Sequence, residues 1–376
     1  MAWAERRGSG YRVRYRLPDG SLTSEAGFVS MAAARERAAD VESDQRRGTF
    51  VDPSAGRVSL REWVQEWEQA HDVSRGTWAK YQSHLRNHIL PRFGDLPLSE
   101  ISRMAVKSWV KQLRRRLAEP TVADVVSQFS MILGEAVEEG LIGTNPCRRL
   151  RVSVGAGEER PHAAPWQVER IAGRLDATHR LLVVTGAYTG LRWGELAGLR
   201  WTGVDMTAGT IRVDARFGAL HEIGGRVELG PPKTPASVRL VHLPPFLRDS
   251  LRAHRNEQDH EHVFTGTDGG LLRRSNFRDR FWVPAVAGLP RRGWAPLLPG
   301  FHFHDLRHTH KTWLIEDTVP EVLQHKRLGH RMRGVAGIYS HVTQDMIDRM
   351  LDGLQRRWER STVSTTETDS PEHIPR

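Results

Sequence analysis

The sequence predicts a multidomain, mainly α-helical protein with small β-sheets. Three observations point there. At 376 residues the chain exceeds one small domain and suits two or three. Residues 11–28 alternate with the period of strands. From about residue 58 apolar residues recur at helical spacing instead. Hydrophobic residues at 39% and charged residues at 27% are the proportions of a folded, soluble chain.

The first domain, expected over 1–50, is a three-stranded sheet backed by a helix. In GYRVRYR, Tyr11, Val13 and Tyr15 alternate with Arg12, Arg14 and Arg16, giving one packed face and one basic face. Pro18-Asp19-Gly20 supplies a turn, and Leu22 to Phe28 return as a strand. SMAAARERAAD then predicts an alanine-rich helix capped by Ser30. The basic face suits a DNA groove, and equally a solvated edge whose charges discourage aggregation.

The second domain, expected over 56–152, is a helical bundle. Ser59 and Glu62 form a capping box ahead of Trp63, Val64 and Trp67. A second helix runs through Trp78, Tyr81, Leu85 and Ile89 and is expected to stop at Pro91. A third carries Val106, Trp109, Val110, Leu113 and Leu117 on one stripe, with Lys107, Lys111 and Arg114 among its other positions. The fourth starts near Thr121, buries Val122, Val125, Phe129, Ile132 and Leu133, and ends towards Gly140. The stretch SVGAGEERPHAA reads as a linker, and residues 361–376 as a disordered tail with almost nothing to bury.

The third domain, expected over 162–360, mixes helices and short strands in an α+β arrangement. LLVVTGAYTGLRWGELAGLRW reads as an apolar helix, a tight turn at Thr189-Gly190, and a short helix. Arg192 falls where this scaffold opens to solvent, with Glu195 in reach one turn later. Ile211 and Val213 begin a strand. GRVELGPPKTPASVRLVHLP then reads as a hairpin with Lys233 at its bend.

FHFHDLRHTH holds four histidines and an arginine. His304 and His308 have a metal-ligand spacing on a helix, but no HExxH, CxxC or acidic cluster completes a site. Arg307 lies three residues from His304. A guanidinium is unfavourable beside a metal dication and favourable beside a phosphate, whose oxygens its fork matches. The segment therefore reads as a phosphate holder, with His304 as a proton carrier near neutral pH. In LGHRMRGVAGIYSH, His330 precedes Tyr339 by nine residues. The other four tyrosines have packing places, whereas Tyr339 follows a run of small residues. It is a candidate nucleophile, or else a packing residue at a helix start.

Bulk properties agree with an anionic partner. The net charge of +10 suits nucleic acid, although a solubility surface is the competing reading. No run approaches the roughly 20 apolar residues that span a bilayer, and MAWAERRGSG has no apolar core behind its arginines, so neither a membrane span nor a secretory signal is expected. A single cysteine, Cys147, fits a reducing cytoplasm.

TGLRWGEL, the lysine in PPKTPASVRL, HDLRHT, LGH and the tyrosine nine residues on occur in that order. Together they resemble the catalytic domain of the tyrosine recombinases, the phage integrase family, over roughly Trp166 to Arg360. The upstream domains resemble, by pattern only, that family's arm-binding module and helical core-binding domain. Many relatives have a threonine where this chain has Ala336, and an acidic residue where it has Gly203.

The resemblance implies a site-specific DNA integrase that integrates or excises a mobile element, without cofactor or metal. Arg192 and Arg307 would clamp the scissile phosphate, and Tyr339 would attack it to give a 3′-phosphotyrosine. Lys233 would protonate the leaving 5′-oxygen. His304 would take the phenolic proton, His330 would bond a phosphate oxygen, and Glu195 would support its neighbours. His302, His308 and His310 are expected to be structural or DNA-facing. Implied partners are double-stranded DNA at core and arm sites, further copies in a tetramer, and a DNA-bending or directionality factor. Lys107, Lys111 and Arg114 would face core DNA, and Arg12, Arg14 and Arg16 arm DNA. Val342, Met346, Met350, Leu354 and Trp358 would line a helix docking in cis or on a neighbouring protomer. A non-catalytic DNA-binding regulator and a type IB topoisomerase are the competing functions.

Overall fold

The computed structural model describes residues 1–17, 20–52, 54–150, 152, 160–332 and 341–368. By contact density the chain divides into two units, Met1–Gly157 and Glu158–Arg376.

In the first unit, alternation produces an antiparallel sheet of β1 (Ala2–Arg7), β2 (Gly10–Arg16) and β3 (Leu22–Phe28), in that order. Val13 and Tyr15 point inward against Ala34, Ala38 and Val41 of α1 (Met31–Arg47). The Ser30 hydroxyl accepts from the Ala33 N–H, as an N-cap should. β1 corresponds to no strand read individually from the sequence, and Pro18-Asp19 of the expected turn lie outside the described residues. The basic face is less cationic than β2 alone suggests. Glu5 of β1 lies in register with Arg12, pairs with it, and sits 3.9 Å from Arg14.

A separate core lies in the helices of this unit. They are α2 (Leu60–Ala70), α3 (Arg75–His84), α4 (Leu90–Phe93), α5 (Arg103–Leu113) and α6 (Glu119–Glu138). The Ser59–Glu62 capping box forms in both directions. Phe93 stacks on Phe129 at a centroid distance of 5.0 Å, and Trp109 meets both edge-on at 5.3 and 5.4 Å. The expected stop at Pro91 does not occur. A π-helical turn over Leu85–Ile89 joins α3 to α4, and Leu90 bonds back to the Leu85 carbonyl. That wider turn accommodates a residue with no N–H to give, so the helical path continues to Phe93. Lys107, Lys111 and Arg114 are exposed on α5 and at its end, and Arg114 pairs with Glu119 at 2.9 Å.

The second unit is built around α8 (Ala177–Thr189), buried along almost its whole length. α7 (Pro165–Ala172) packs against it, and α9 (Trp193–Ala197) follows it. Ala163, in the stretch expected to be linker, is fully buried, and its N–H donates to Thr309 at 3.0 Å. Next come β4 (Val204–Asp205), β5 (Thr210–Val213), β6 (Ala219–Ile223), β7 (Arg226–Gly230) and β8 (Arg239–His242).

The expected hairpin across Lys233 is not formed. β7 pairs with β6, while β8 pairs with β5 in a different sheet. Gly224 and Gly225, both at positive φ, make a two-residue turn that returns β6 into β7. Pro231 and Pro232 cannot donate to a ladder, so the chain leaves the hairpin there.

α10 (Pro245–Asn256), α11 (Arg274–Phe277) and α12 (Val283–Ala287) lead to α13 (Asp305–Glu316), which packs on α8, and α14 (Glu321–Leu328). α15 (Gln344–Thr368) closes the unit and runs past residue 360 into the stretch expected to be disordered. No helix among the described residues is long and apolar enough to cross a membrane.

α15 docks in cis. Met350 and Leu354 are buried in the core of the unit, and Trp358 stacks on Phe246 of α10 at 4.5 Å. Arg357 pairs with Glu316 and Asp317 at the end of α13. Leu354→Ala is expected to destabilise this unit by roughly 2–5 kcal/mol through the cavity it leaves. Denaturant titrations should show a lower midpoint that does not depend on protein concentration. A concentration-dependent midpoint would mean that the helix docks on another copy.

Candidate active site

The site begins where α8 ends. Gly190 adopts φ +66°, and a Cβ there would lie 2.7 Å from Leu328 and 2.8 Å from His310. Glycine is therefore required both by the left-handed turn and by close packing under α13 and α14. The turn delivers Arg192 to the N-terminal boundary of α9. Its backbone N–H donates to Glu195 Oε2 at 3.0 Å. Its Nη1 donates to Glu195 Oε1 and Ser237 Oγ, both at 2.9 Å. Among the described residues, the Nε–Nη2 edge has no acceptor, and the side chain is 26% exposed.

Glu195 is buried and shared. Arg239 of β8 donates Nη1 to its Oε1 at 3.1 Å and Nη2 to its Oε2 at 2.9 Å. Burial opposes ionisation of this carboxyl. The bonds and charge of Arg239, with those of Arg192, outweigh that effect and hold its pKa below the ordinary value.

Arg307 rises from the first turn of α13 into the same neighbourhood. Its Nη1 donates to the Gly190 carbonyl at 2.6 Å, and its Nη2 donates to the Leu328 carbonyl and to His330 Nε2, the latter at 2.9 Å. Burial, followed by repulsion from Arg192, lowers its pKa to about 9. His330 follows Gly329, which has φ +65° and would place a Cβ 2.9 Å from the Ala236 carbonyl. Because arginine can only donate, His330 Nε2 is the acceptor, which assigns its ring proton to Nδ1. Protein packed around the ring, then the charges of Arg307 and Arg192, push its pKa down to about 4.

His304 stands at the start of α13, edge-on to His308 at 5.4 Å. Its ring is partly desolvated, and with His308 and Arg307 beside it its pKa is lowered. Lys233 is exposed on the loop between β7 and β8. Its neighbour Thr234 contacts Ser237 at 3.0 Å, and Ser237 is an acceptor for Arg192, so this loop is tethered to the arginine. His302 is exposed, with its backbone N–H on Asp305 at 2.7 Å. His310 is fully buried and structural. Tyr339 lies outside the described residues. Among the described residues no group of three or more His, Cys, Asp or Glu is placed to hold a metal ion.

Two buried arginines were not anticipated. Arg239 also donates to the Arg327 carbonyl at 2.7 Å and the Ser237 carbonyl at 2.8 Å. Arg327 donates to His310 Nε2 at 2.8 Å and to the carbonyls of His242 at 2.9 Å and Tyr188 at 2.8 Å. Its pKa falls to about 9 through burial and then Arg239. The sequence did hold a signal for Arg239. Period-two reading of RLVH puts it on the inward side with Val241, and an inward charge demands a buried partner. The arrangement joins cations and imidazoles from four distant segments, which suits a phosphate oxyanion.

Comparison with known proteins agrees with this chemistry. The Phage integrase family model matches residues 165–346, and the model of the phage integrase N-terminal SAM-like domain matches residues 59–114, together more than half of the chain. The integrase of Mycobacterium phage L5 is 26% identical over 315 residues, covering 81% of this chain and 80% of that protein. A putative prophage phiRv2 integrase of Mycobacterium tuberculosis is 29% identical over 294 residues, 75% of this chain and 74% of that protein. Among solved structures, the Tn1549 transposon integrase in complex with transposon right end DNA superposes with a TM-score of 0.64 at 18% identity, over 78% of this chain and 99% of that one. A lambda integrase tetramer bound to a Holliday junction gives 0.55 at 19% identity, over 90% of this chain and 97% of that one. With both family models matched in order, and the arginines and histidines of the catalytic motifs gathered in one place, the chain belongs to the phage integrase family of tyrosine recombinases, enzymes of site-specific DNA recombination.

Proposed function

We propose that the protein integrates or excises a mobile element by cutting and rejoining DNA through a 3′-phosphotyrosine. The observation that supports this best is the meeting of Arg192, Arg307 and His330 across one turn of packed backbone. The open Nε–Nη2 edge of Arg192 is a two-donor fork for the non-bridging oxygens of the scissile phosphate. Arg307 stands beside it, repelled by it, and an anion between them relieves that repulsion. Tyr339 then attacks phosphorus. The new O–P bond replaces the bond to the 5′-oxygen, which leaves with a proton from Lys233. His304 takes the phenolic proton and returns it in the reverse step. No high-energy cofactor is needed, because one phosphodiester is exchanged for another.

Magnitudes support cationic clamps as the main source of rate. A phosphodiester resists attack because its charge repels nucleophiles, and removing one preorganised donor at such a centre costs on the order of 100–1,000-fold. Phenol has a reference pKa of about 10, so a base and a cationic surround are both needed near neutral pH.

The substrate in this reading is double-stranded DNA, held at the core site by the helical domain with Lys107, Lys111 and Arg114, and at arm sites by the N-terminal sheet. Lambda integrase has been solved as a dimer on a core site and as a tetramer on a Holliday junction, and assembly of this chain into a tetramer on DNA follows by analogy. A DNA-bending or directionality factor completes the proposed assembly.

Three outcomes are expected. Tyr339→Phe abolishes covalent attachment to a nicked suicide duplex while leaving site binding within a few-fold, and EDTA has no effect on the wild type. A wild type that binds the site yet never forms an adduct would identify a regulator instead. The His330 ring, followed by NMR titration, stays neutral through pH 6 with a midpoint near 4, and the midpoint rises when DNA places a phosphate beside it. An ordinary midpoint in the free protein would mean that Arg307 does not hold the ring. Removing charge at Arg12, Arg14 and Arg16 flattens the salt dependence of arm-site binding by roughly 0.9 of a slope unit per lost phosphate contact. Arg12 should contribute least, because Glu5 already pairs with it.

A further inference from the structure

Glu195 supports Arg192 and also threatens it. A carboxylate oxygen 2.9 Å from Nη1 opposes the charge that a clamp must present to a phosphate. Left with Arg192 as its sole partner, a buried carboxylate would neutralise that arginine and draw its other donors inward. Arg239 changes the balance. It occupies both Glu195 oxygens, and it is only 8% exposed, fixed by the carbonyls of Arg327 and Ser237, so it cannot reach a substrate itself.

We propose that Arg239 is a positioning residue whose charge offsets Glu195, so that Arg192 keeps its net positive charge and its open edge for the scissile phosphate. The inference rests on Arg192 being a phosphate clamp, as set out above. Among the described residues, the charged groups facing Glu195 are Arg192 from its own turn, Arg239 from β8 and Arg307 from α13. Sequence position does not reveal the arrangement, because Arg239 is 47 residues from Arg192 and lies on a strand of another element.

The test is single-turnover cleavage by the full-length protein on a nicked duplex carrying the element's core site, with site binding followed in parallel. Arg239→Met should slow adduct formation by about 10- to 100-fold at pH 7.5, a fraction of the loss of a whole clamp. The deficit should narrow as pH falls, because protonating Glu195 releases Arg192. Arg239→Lys, which keeps the charge and loses the fork, should stay within about tenfold of the wild type. The double variant Arg239→Met with Glu195→Gln should be at least about tenfold faster than Arg239→Met alone, since both charges leave together.

A double variant no faster than Arg239→Met, or a deficit that does not vary with pH, overturns the inference. If Arg239→Met fails to fold, Arg239→Lys decides: a folded lysine variant slowed more than about 100-fold overturns the inference, and one within tenfold upholds it. If the wild type forms no adduct at all, the failure belongs to the reading of Arg192 as a clamp, and this inference goes with it.

Discussion

Repulsion between cations is the constraint around which the second unit is built. Arg192, Arg239, Arg307 and Arg327 converge, and Glu195 is the carboxylate that bonds two of them. Two unit charges about 5 Å apart repel by roughly 3 kcal/mol at an effective dielectric constant near 20. Main-chain oxygens provide the compensation. Gly190 and Leu328 serve Arg307, Ser237 and Arg327 serve Arg239, and Tyr188 and His242 serve Arg327. These bonds join the end of α8, strand β8 and helix α14 into one seat. The remaining excess of positive charge is what makes the seat complementary to a phosphate rather than to a neutral ligand.

The histidines divide according to the same field. His310, fully buried with its Nε2 accepting from Arg327, has its pKa driven well below the ordinary histidine value by burial and then by Arg327, so it serves as a neutral acceptor. His330 plays the same acceptor role towards Arg307 in the absence of DNA. His304, at the start of α13, and His330, just after α14, are both exposed, so a substrate can approach either along with the arginines, whereas His310 is sealed off. Three residues of one chemical type thus hold different positions because the surrounding guanidinium donors differ in number and direction.

Much of this was legible in the sequence where local chemistry decides structure. Ser30 and Ser59 cap the helices they precede, and Thr189-Gly190 turns where a glycine permits a left-handed residue. Arg192, His304, Arg307 and His330 could be nominated because motif order survives even when their meeting in space is invisible. What could not be read depended on competition between distant or alternative partners. Gly224-Gly225 claimed β7 for β6, leaving Lys233 on a connection between two sheets. A π-helical turn absorbed Pro91. Glu5 moderated the basic strand from across the sheet. Arg239 and Arg327 were passed over because a buried cation is indistinguishable from a surface one until its partners are known. Cis docking of α15 was likewise undetermined, since an apolar stripe specifies burial but not the owner of the surface that covers it.

The acceptors that seat Arg307 have an evolutionary implication. A side-chain ligand can be deleted by one codon change, but the oxygens of Gly190 and Leu328 are supplied by whatever amino acid occupies those positions. Selection on this arginine's surroundings therefore acts on backbone path, and above all on the two left-handed glycines, Gly190 and Gly329, that bend the chain to it. Side chains elsewhere around the seat can change while the guanidinium stays put, provided those two bends and the His330 acceptor are kept.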